Sequence, residues 1–567
     1  MKRTFLLLIG FIVAAELAVL GWGWPNRERE TGPDVAGQIA SMSFAPFRDG
    51  QSPLTQVYPT REQIEEDMAR LKGLTRSVRT YTSREGMEAV PPLATKYGIK
   101  VIQSAWITSD ATEKGRTTND AEIDSLIQLA HDYPDTVERV IVGNEVLLRR
   151  DLTPDKLISY IRRVKANVKQ PVSYADVWAF WLKHPEVAQE VDFITIHILP
   201  YWEDEPVGVD GVGPHFEKIH QIMSQAFPGK PILIGEAGWP TQGRQRGPAA
   251  PGNVNAAKHL RSLVETSIKN GFDYNLVEAY DQNWKYNLEG TVGAKWGLID
   301  ADRSQKFPLV GGVSEDPGWK WKAGGSILLA LLLLLPYRRD LLEGRLVLAL
   351  GTIVFAQLLA ALFVRYATVS WGAAFTLWTT ASPLIVGAAL IALCLGSVRQ
   401  AAAWTAERLE APPLWLRRLM AVFAVYAVVM AVALAHDGRY RDIPVPQIAI
   451  LVAAALGLAA MAKLAGAECR NALSGLTAFG GAKGDRWLAV LLPLAGADSL
   501  VGEGLALIGD DFVKMHPSLN EQIPLILAGT VSNCQILVLA GLLVLLSAPH
   551  VAAVMKAREE KKTEAEG

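Results

Sequence analysis

Arg139-Val140-Ile141-Val142-Gly143-Asn144-Glu145-Val146 is an apolar run that stops on a glycine, an amide and a carboxylate. Pro231-Ile232-Leu233-Ile234-Gly235-Glu236-Ala237-Gly238-Trp239-Pro240 has the same shape. Short apolar bursts that end on chemistry-bearing residues are what buried parallel strands look like. Six more bursts lie around them: Ser43–Phe47, Ser77–Tyr81, Lys100–Trp106, Pro171–Trp178, Asp192–Tyr201 and Asn275–Asp281. Amphipathic stretches fill most of the intervals, at Arg61–Leu74, Ala121–Tyr133, Pro154–Val168, His215–Ala226 and Val254–Asn270. Eight strand–helix units in about 275 residues match an α/β fold of the (β/α)8 TIM-barrel kind. An open doubly wound sheet is the structural rival, but it does not demand eight strands. No GxGxxG follows the first of these.

The barrel segment, taken as 38–312, is half of a chain of 567 residues. Half the residues are apolar, a fifth are charged and the mean hydropathy is +0.16, which excludes a wholly soluble chain and, with a net charge of −2, a disordered one. The balance offers no nucleic-acid surface. Cys394, Cys469 and Cys534 all lie late, so no disulfide framework exists in the first 393 residues, and no CxxC spacing points to a metal.

Lys2 and Arg3 precede an apolar run from Thr4 to about Trp22. With bulky rings at Trp22 and Trp24 and no small-x-small cleavage site, residues 1–24 read as an uncleaved transmembrane anchor. A polar linker spans 25–37. Beyond the barrel, 319–548 reads as an α-helical membrane domain of seven spans, near Trp319–Pro336, Leu346–Val364, Trp371–Leu395, Leu419–Ala435, Ile448–Ala467, Trp487–Ile508 and Ile523–Ser547. That gives about eight spans with the anchor. Residues 549–567 are a charged tail. Connecting segments alternate in basic content: Arg338, Arg339 and Arg345, then Arg399, Arg408, Arg417 and Arg418, then Arg470, Lys483 and Arg486 mark the rich ones, with Lys556, Arg558, Lys561 and Lys562 in the tail. Arg365, Arg439 with Arg441, and Lys514 mark the poor ones. The rich loops and both termini are therefore expected in the cytoplasm and the barrel outside it. Asp498 and Glu503 inside an apolar span, and Asn533-Cys534-Gln535 within the last, are either functional or partnered structurally. His436 and Cys469 read as lone structural residues.

Glu145 and Glu236 stand at carboxyl ends of the fourth and seventh strands, the face on which barrel active sites lie. Two carboxylates converging there are what glycoside cleavage needs, one protonated to release the leaving oxygen and one ionised to attack the anomeric carbon. Alternatively each caps a strand or pairs with a lysine. Aromatic residues recur near the same face: Trp106, Trp178, Trp181, Tyr201, Trp202, Trp239, Tyr280 and Trp284. Their rings suit sugar C–H faces, and each also suits a core.

Val142-Gly143-Asn144-Glu145-Val146, Gly235-Glu236-Ala237-Gly238-Trp239-Pro240 and Asp281-Gln282-Asn283-Trp284-Lys285, in this order, resemble glycoside hydrolase family 17, the β-1,3-glucanases and β-1,3-glucan transglycosylases. The resemblance covers about residues 38–310. It implies a retaining enzyme with Glu145 as general acid/base and Glu236 as nucleophile. It also implies Asn144 on the sugar 2-hydroxyl or the nucleophile, Tyr201 on the nucleophile, and Lys285 beside the cleft, with Trp106, Trp202, Trp239 and Trp284 toward substrate. Many relatives carry Asn-Ile-Tyr-Pro-Tyr where this chain has His197-Ile198-Leu199-Pro200-Tyr201; Ala237 replaces a Ser and Gln282 a Glu. Such barrels joined to membrane spans resemble bacterial inner-membrane proteins linked to β-1,3/β-1,6-glucan assembly. The resemblance thus implies a β-1,3-glucan substrate, a catalytic domain on the periplasmic side, and glucan synthesis or export machinery as a partner.

The expected activity is cleavage of β-1,3-glucosidic bonds with transfer to a glucan acceptor, using no metal or organic cofactor, with the carboxyl groups roughly 5–5.5 Å apart. The alternatives are a purely hydrolytic endo-β-1,3-glucanase and a non-catalytic glucan-binding membrane protein. A nucleotide-sugar glycosyltransferase is disfavoured, since no nucleotide-sugar fold or DxD-type motif lies in a cytoplasmic segment and those loops are too short to hold one.

Overall fold

The computed structural model describes residues 2–566. The chain divides into two compact units, one of residues 28–314 with 509–519, the other of 2–27, 315–508 and 520–566.

In the first unit eight parallel strands close in sequence order: β1 (Ile39–Ser43), β2 (Thr75–Arg79), β3 (Lys100–Ala105), β4 (Val137–Asn144), β5 (Val172–Val177), β6 (Ile194–His197), β7 (Ile232–Ala237) and β8 (Asp273–Leu276). The Met42–Leu276 pairing of β1 with β8 closes the ring. All eight expected strands exist. The first begins four residues earlier than its apolar run suggested. Ile39 and Met42 fill the core, while Pro46, which has no N–H to give a ladder, falls beyond the strand end.

The helices form where a cap and an apolar stripe coincide. Thr60 and Gln63 make a reciprocal capping box at Arg61–Leu71, whose Ile64, Met68 and Leu71 are buried at 3- and 4-residue steps. Pro154 opens the next such helix, Pro154–Lys165, which buries Leu157, Ile158, Ile161 and Val164. In the polar linker, Arg29 and Val35 are hydrogen-bonded to the segment that closes the barrel unit. Arg29 and Val313 exchange backbone hydrogen bonds of 2.9 Å, and the Val35 N–H reaches the Leu309 carbonyl at 3.1 Å.

The second unit is helical. Among the described residues, seven helices are long and apolar enough to cross a membrane: Lys2–Gly23, Leu346–Trp371, Leu377–Thr405, Leu414–His436, Val445–Leu464, Lys483–Leu505 and Cys534–Ala565. Two of the eight expected segments differ. Trp319–Leu334 is only 16 residues of α-helix, about 24 Å at 1.5 Å per residue against a hydrocarbon core of about 30 Å. The run Ile523–Ser547 is not one helix: Leu519–Ser532 ends, and the long final helix starts at Cys534. The break is made by Asn533, whose side-chain oxygen accepts from the Ile536 N–H at 3.2 Å while its amide donates to Glu503 at 2.8 Å. Glu503 is thus partnered. His436, expected alone, lies 3.5 Å from Asp498. A further buried pair was not anticipated: His550 Nδ1 is 2.7 Å from Asp485, which also accepts from Thr477 and the Gly481 N–H.

Gly235 sets how closely β7 lies against its neighbours, because a Cβ there would stand 2.2 Å from Thr195 Cγ2 on β6. Gly235→Ala is expected to destabilise the barrel by about 1–3 kcal/mol, the usual cost of overpacking. Thermal unfolding of the detergent-solubilised chain checks this. A melting temperature equal to wild type would mean that the two strands part freely.

Candidate active site

The site grows from the ends of β2, β4, β6 and β7. Gly143, at φ 86°, turns the chain as β4 ends, and Glu145 itself holds φ 52°. Few residues other than glycine sit there without cost. The Glu145 N–H is fixed by the Ala175 carbonyl at 2.8 Å. On the facing side Glu236 is the penultimate residue of β7 and is buried.

Arg79, the last residue of β2, is wholly enclosed and joins the two. Its guanidinium donates to the Gly235 carbonyl at 2.7 Å, to Asn144 Oδ1 at 2.6 Å and to Glu236 Oε1 at 3.4 Å. Tyr81 donates to the same Glu236 oxygen at 3.0 Å. Burial and the Glu236 charge push the Tyr81 hydroxyl well above its usual range, so it stays a donor. His197, the last residue of β6, places Nδ1 2.8 Å from Glu145 Oε1 and Nε2 3.6 Å from Glu236 Oε1. One donor atom each of Glu145, His197 and Glu236 falls within 4.8 Å of the others. Such a trio suits a cation by distance alone. Here the hydrogen bonds from His197, Tyr81 and Arg79 already engage the oxygens concerned.

Charge around the pair is uneven. Burial pushes Glu145 up, but the hydrogen bond and charge of His197, with Arg149 and Arg79, outweigh it and hold the carboxyl below its usual range. Asp176 on β5 is pushed up to about 6 by burial and by Glu145, against a hydrogen bond from Tyr174. Beyond β8, burial pushes Glu278 up to about 7, with Asp281 and Glu236 adding and Lys285 opposing. Lys285, 3.4 Å from Glu278, is raised despite burial by Glu278, Glu289 and Glu236.

The sequence-derived site residues divide. Glu145, Glu236 and Asn144 come together as expected, Asn144 through Arg79. Lys285 joins them on the β8 side. Trp106 is exposed, with Arg149 over its ring at 4.3 Å. Trp202 and Trp284 are half-buried, and Trp284 donates to Gln282 at 2.8 Å. Trp239 is a correction: it is buried, and its ring N–H is spent on the Ala250 carbonyl at 3.0 Å. Tyr201, expected at the nucleophile, is wholly buried among Trp202, Trp239 and Trp296 and donates to the Arg244 carbonyl at 2.7 Å. It lies four residues past the end of β6, in a turn that packs inward, whereas Tyr81 is two residues past β2 and reaches Glu236 instead. Trp181 and Tyr280 are likewise core residues. Arg79, Tyr81 and Glu278 were missed. The signal was available: Arg79 interrupts the run Ser77–Tyr81 at a strand's carboxyl end, where a cation is out of place in a core.

Residues 41–297 match the family described as BtgE/BtgC glycoside hydrolase domain. The barrel is thus similar to this glycoside hydrolase family, whose match spans less than half of the chain. A probable glucan endo-1,3-beta-glucosidase btgC of Aspergillus fumigatus is 28% identical over 288 residues, 45% of this chain and 41% of that protein. A glucan 1,3-beta-glucosidase of Arthroderma benhamiae is 28% identical over 265 residues, 43% of this chain and 83% of its own. The family-17 β-1,3-glucanosyltransferase of Rhizomucor miehei is similar in structure, with TM-score 0.42, 26% identity, and coverage of 48% of this chain and 97% of that one. The chain spans about two-fifths of the length of the btgC proteins it matches. The three motifs that carry the family-17 resemblance all lie within the matched residues 41–297.

Raised carboxyls in this domain make its stability depend on pH. Between the ordinary 4.5 and about 7 the folded chain keeps a proton on Glu278 that the unfolded chain has released. Stability therefore falls as pH rises through that window. The melting temperature of wild type is expected to drop relative to Glu278→Gln between about pH 5 and about pH 7. Parallel curves would show that Glu278 ionises as it does in water.

Proposed function

We propose that the glycoside hydrolase domain cleaves β-1,3-glucosidic bonds with retention and passes the glycosyl unit to a glucan acceptor. Glu145 is the general acid/base and Glu236 the nucleophile. The observation that carries this is the approach of the two carboxyl groups, with one oxygen of each within 4.8 Å of the other. Retaining enzymes hold their carboxyl groups about 5–5.5 Å apart, whereas inverting ones leave about 6.5–9.5 Å for a water. The names of the fungal relatives support the linkage. In the first step Glu145 protonates the departing oxygen as Glu236 bonds to C1, and in the second Glu145 takes the acceptor's proton as Glu236 leaves. Arg79 and Tyr81 hold Glu236 in line. Trp106, Trp202 and Trp284, which are not fully buried, supply aromatic surface for sugar rings.

Full-length protein in detergent, incubated with linear β-1,3-gluco-oligosaccharides, is expected to yield β-configured products longer than the donor. Products only shorter than the donor select the hydrolytic reading, and α-configured first products overturn retention. Glu236→Gln is expected to lose at least about 10³-fold in kcat/KM, the scale of losing a covalent nucleophile. Turnover that survives that change favours a glucan-binding protein contaminated by another enzyme.

The alternation of basic loops supports placing the barrel on the non-cytoplasmic face of a membrane, bacterial and inner by the sequence resemblance, with glucan synthesis or export machinery beside it. This placement needs Trp319–Leu334 to cross as an eighth span; alkaline phosphatase fused after residue 314 is then expected to be active, and the same reporter at the carboxyl terminus silent. The reverse pattern would invert the topology.

A further inference from the structure

We propose that His197 is a positioning residue that shares the acid proton with Glu145, so that the donor is a Glu–His pair rather than a lone carboxyl. The inference rests on reading Glu145 as the acid/base. His197 is fully enclosed, and the strand register sets it opposite Glu236, with the Ile198 N–H on the Glu236 carbonyl at 2.9 Å. A ring nitrogen 2.8 Å from a carboxylate oxygen must have a proton between them, because two lone pairs at that distance repel. Nε2 has no hydrogen-bond partner among the described residues and faces Glu236 at 3.6 Å. The imidazole therefore touches both carboxyl groups from one position, and an amide in its place could not store the proton.

Other charged groups facing the pair act on each form differently. Arg79 from β2 and Arg149 after β4 favour ionised Glu145, and Asp176 on β5 lies within reach of both Glu145 and His197. Tyr174 bonds Asp176 and Tyr81 bonds Glu236. From beyond β8, Glu289 acts on both glutamates, while Glu278 and Lys285 act on Glu236. None of these can hand a proton to Glu145 at hydrogen-bond distance; His197 can.

In the first step the C1–O bond to the leaving sugar breaks, the Glu236–C1 bond forms, and the shared proton goes to the departing oxygen. The pair starts with one proton beyond the Nδ1–H that binds Glu145, so Glu145 is left ionised beside a neutral His197 whose Nδ1–H still reaches it. In the second step the acceptor O–H breaks as its oxygen bonds to C1, its proton returns to the pair, and Glu236 leaves as carboxylate. The high-pH limb of kcat/KM then marks loss of the shared proton.

In His197→Asn the proton rests on the carboxyl alone, beside Arg79 and Arg149, and leaves at lower pH. The high-pH limb for gluco-oligosaccharides is expected to move at least one unit toward acid, a loss of about tenfold on the alkaline side. Cleavage of a dinitrophenyl glucoside, whose leaving group needs no proton, is expected to stay within about threefold. An unmoved limb, or equal losses on both substrates, overturns the proposal. Glu145→Gln separates the two readings: if it leaves oligosaccharide cleavage intact, the acid assignment fails and not the pairing. Thermal melting reports whether His197→Asn is folded, and if it is not, His197→Gln carries the same comparison.

Discussion

A guanidinium with no access to water ties the mouth of the barrel together. Arg79 spans from β2 to the Asn144 side chain after β4 and to the backbone and carboxylate of β7. A buried cation is tolerated only when paired and hydrogen-bonded, and removing one member of such a set costs several kcal/mol. Glu236 and Asn144 are thus held where they are partly by what Arg79 requires. The glycine before the nucleophile belongs to the same constraint. Its carbonyl is an Arg79 acceptor, and a side chain at 235 would press on both Thr195 and the guanidinium. The strand ends, the amide and the carboxylate form one unit whose parts fail together.

The barrel was legible because short runs rich in apolar residues recur eight times and several of them, β4 and β7 above all, end at glycine and polar residues. Glu145 and Glu236 were legible for the same reason, since a strand end is a position along the chain. Arg79 stood out as a cation in its run, but its role and that of His197 were not legible, because they depend on partners 65 and 157 residues away for Arg79 and 52 away for His197. The aromatic residues show where positional reading stops. Tyr201 and Trp239 follow strand ends just as Trp106 does, but the chain after β6 and β7 turns inward and buries them. Exposure depends on the path of the loop, and no periodicity encodes that path.

In the helical unit uniform apolarity hid the interruptions. Residues 523–547 average as one span, yet a single asparagine ends one helix and caps the next. It can do so because Glu503 on another helix takes its amide. The acids that looked anomalous in sequence have partners, Glu503 with Asn533 and Asp498 with His436, and the unanticipated Asp485 pairs with His550. An intramembrane polar group without water must find such a partner, so pairing alone does not make these sites catalytic.

The mouth of the barrel carries more acids than bases: Glu145, Asp176, Glu236, Glu278 and Glu289 against Arg79, Arg149 and Lys285. That many ionised carboxylates cannot coexist at close range, so protons must be stored among them. Asp176, pushed up to about 6, and Glu278, pushed up to about 7, take that load on the flanks. By staying partly protonated near neutral pH they limit the negative field on the two central glutamates. Those two need opposite protonation states at the same moment. Arg79 and Tyr81 donate to the β7 carboxylate, while His197 lies against Glu145 on the other side. Unlike neighbours around two identical side chains give the asymmetry that the proposed mechanism needs, in which one carboxyl attacks while its twin donates.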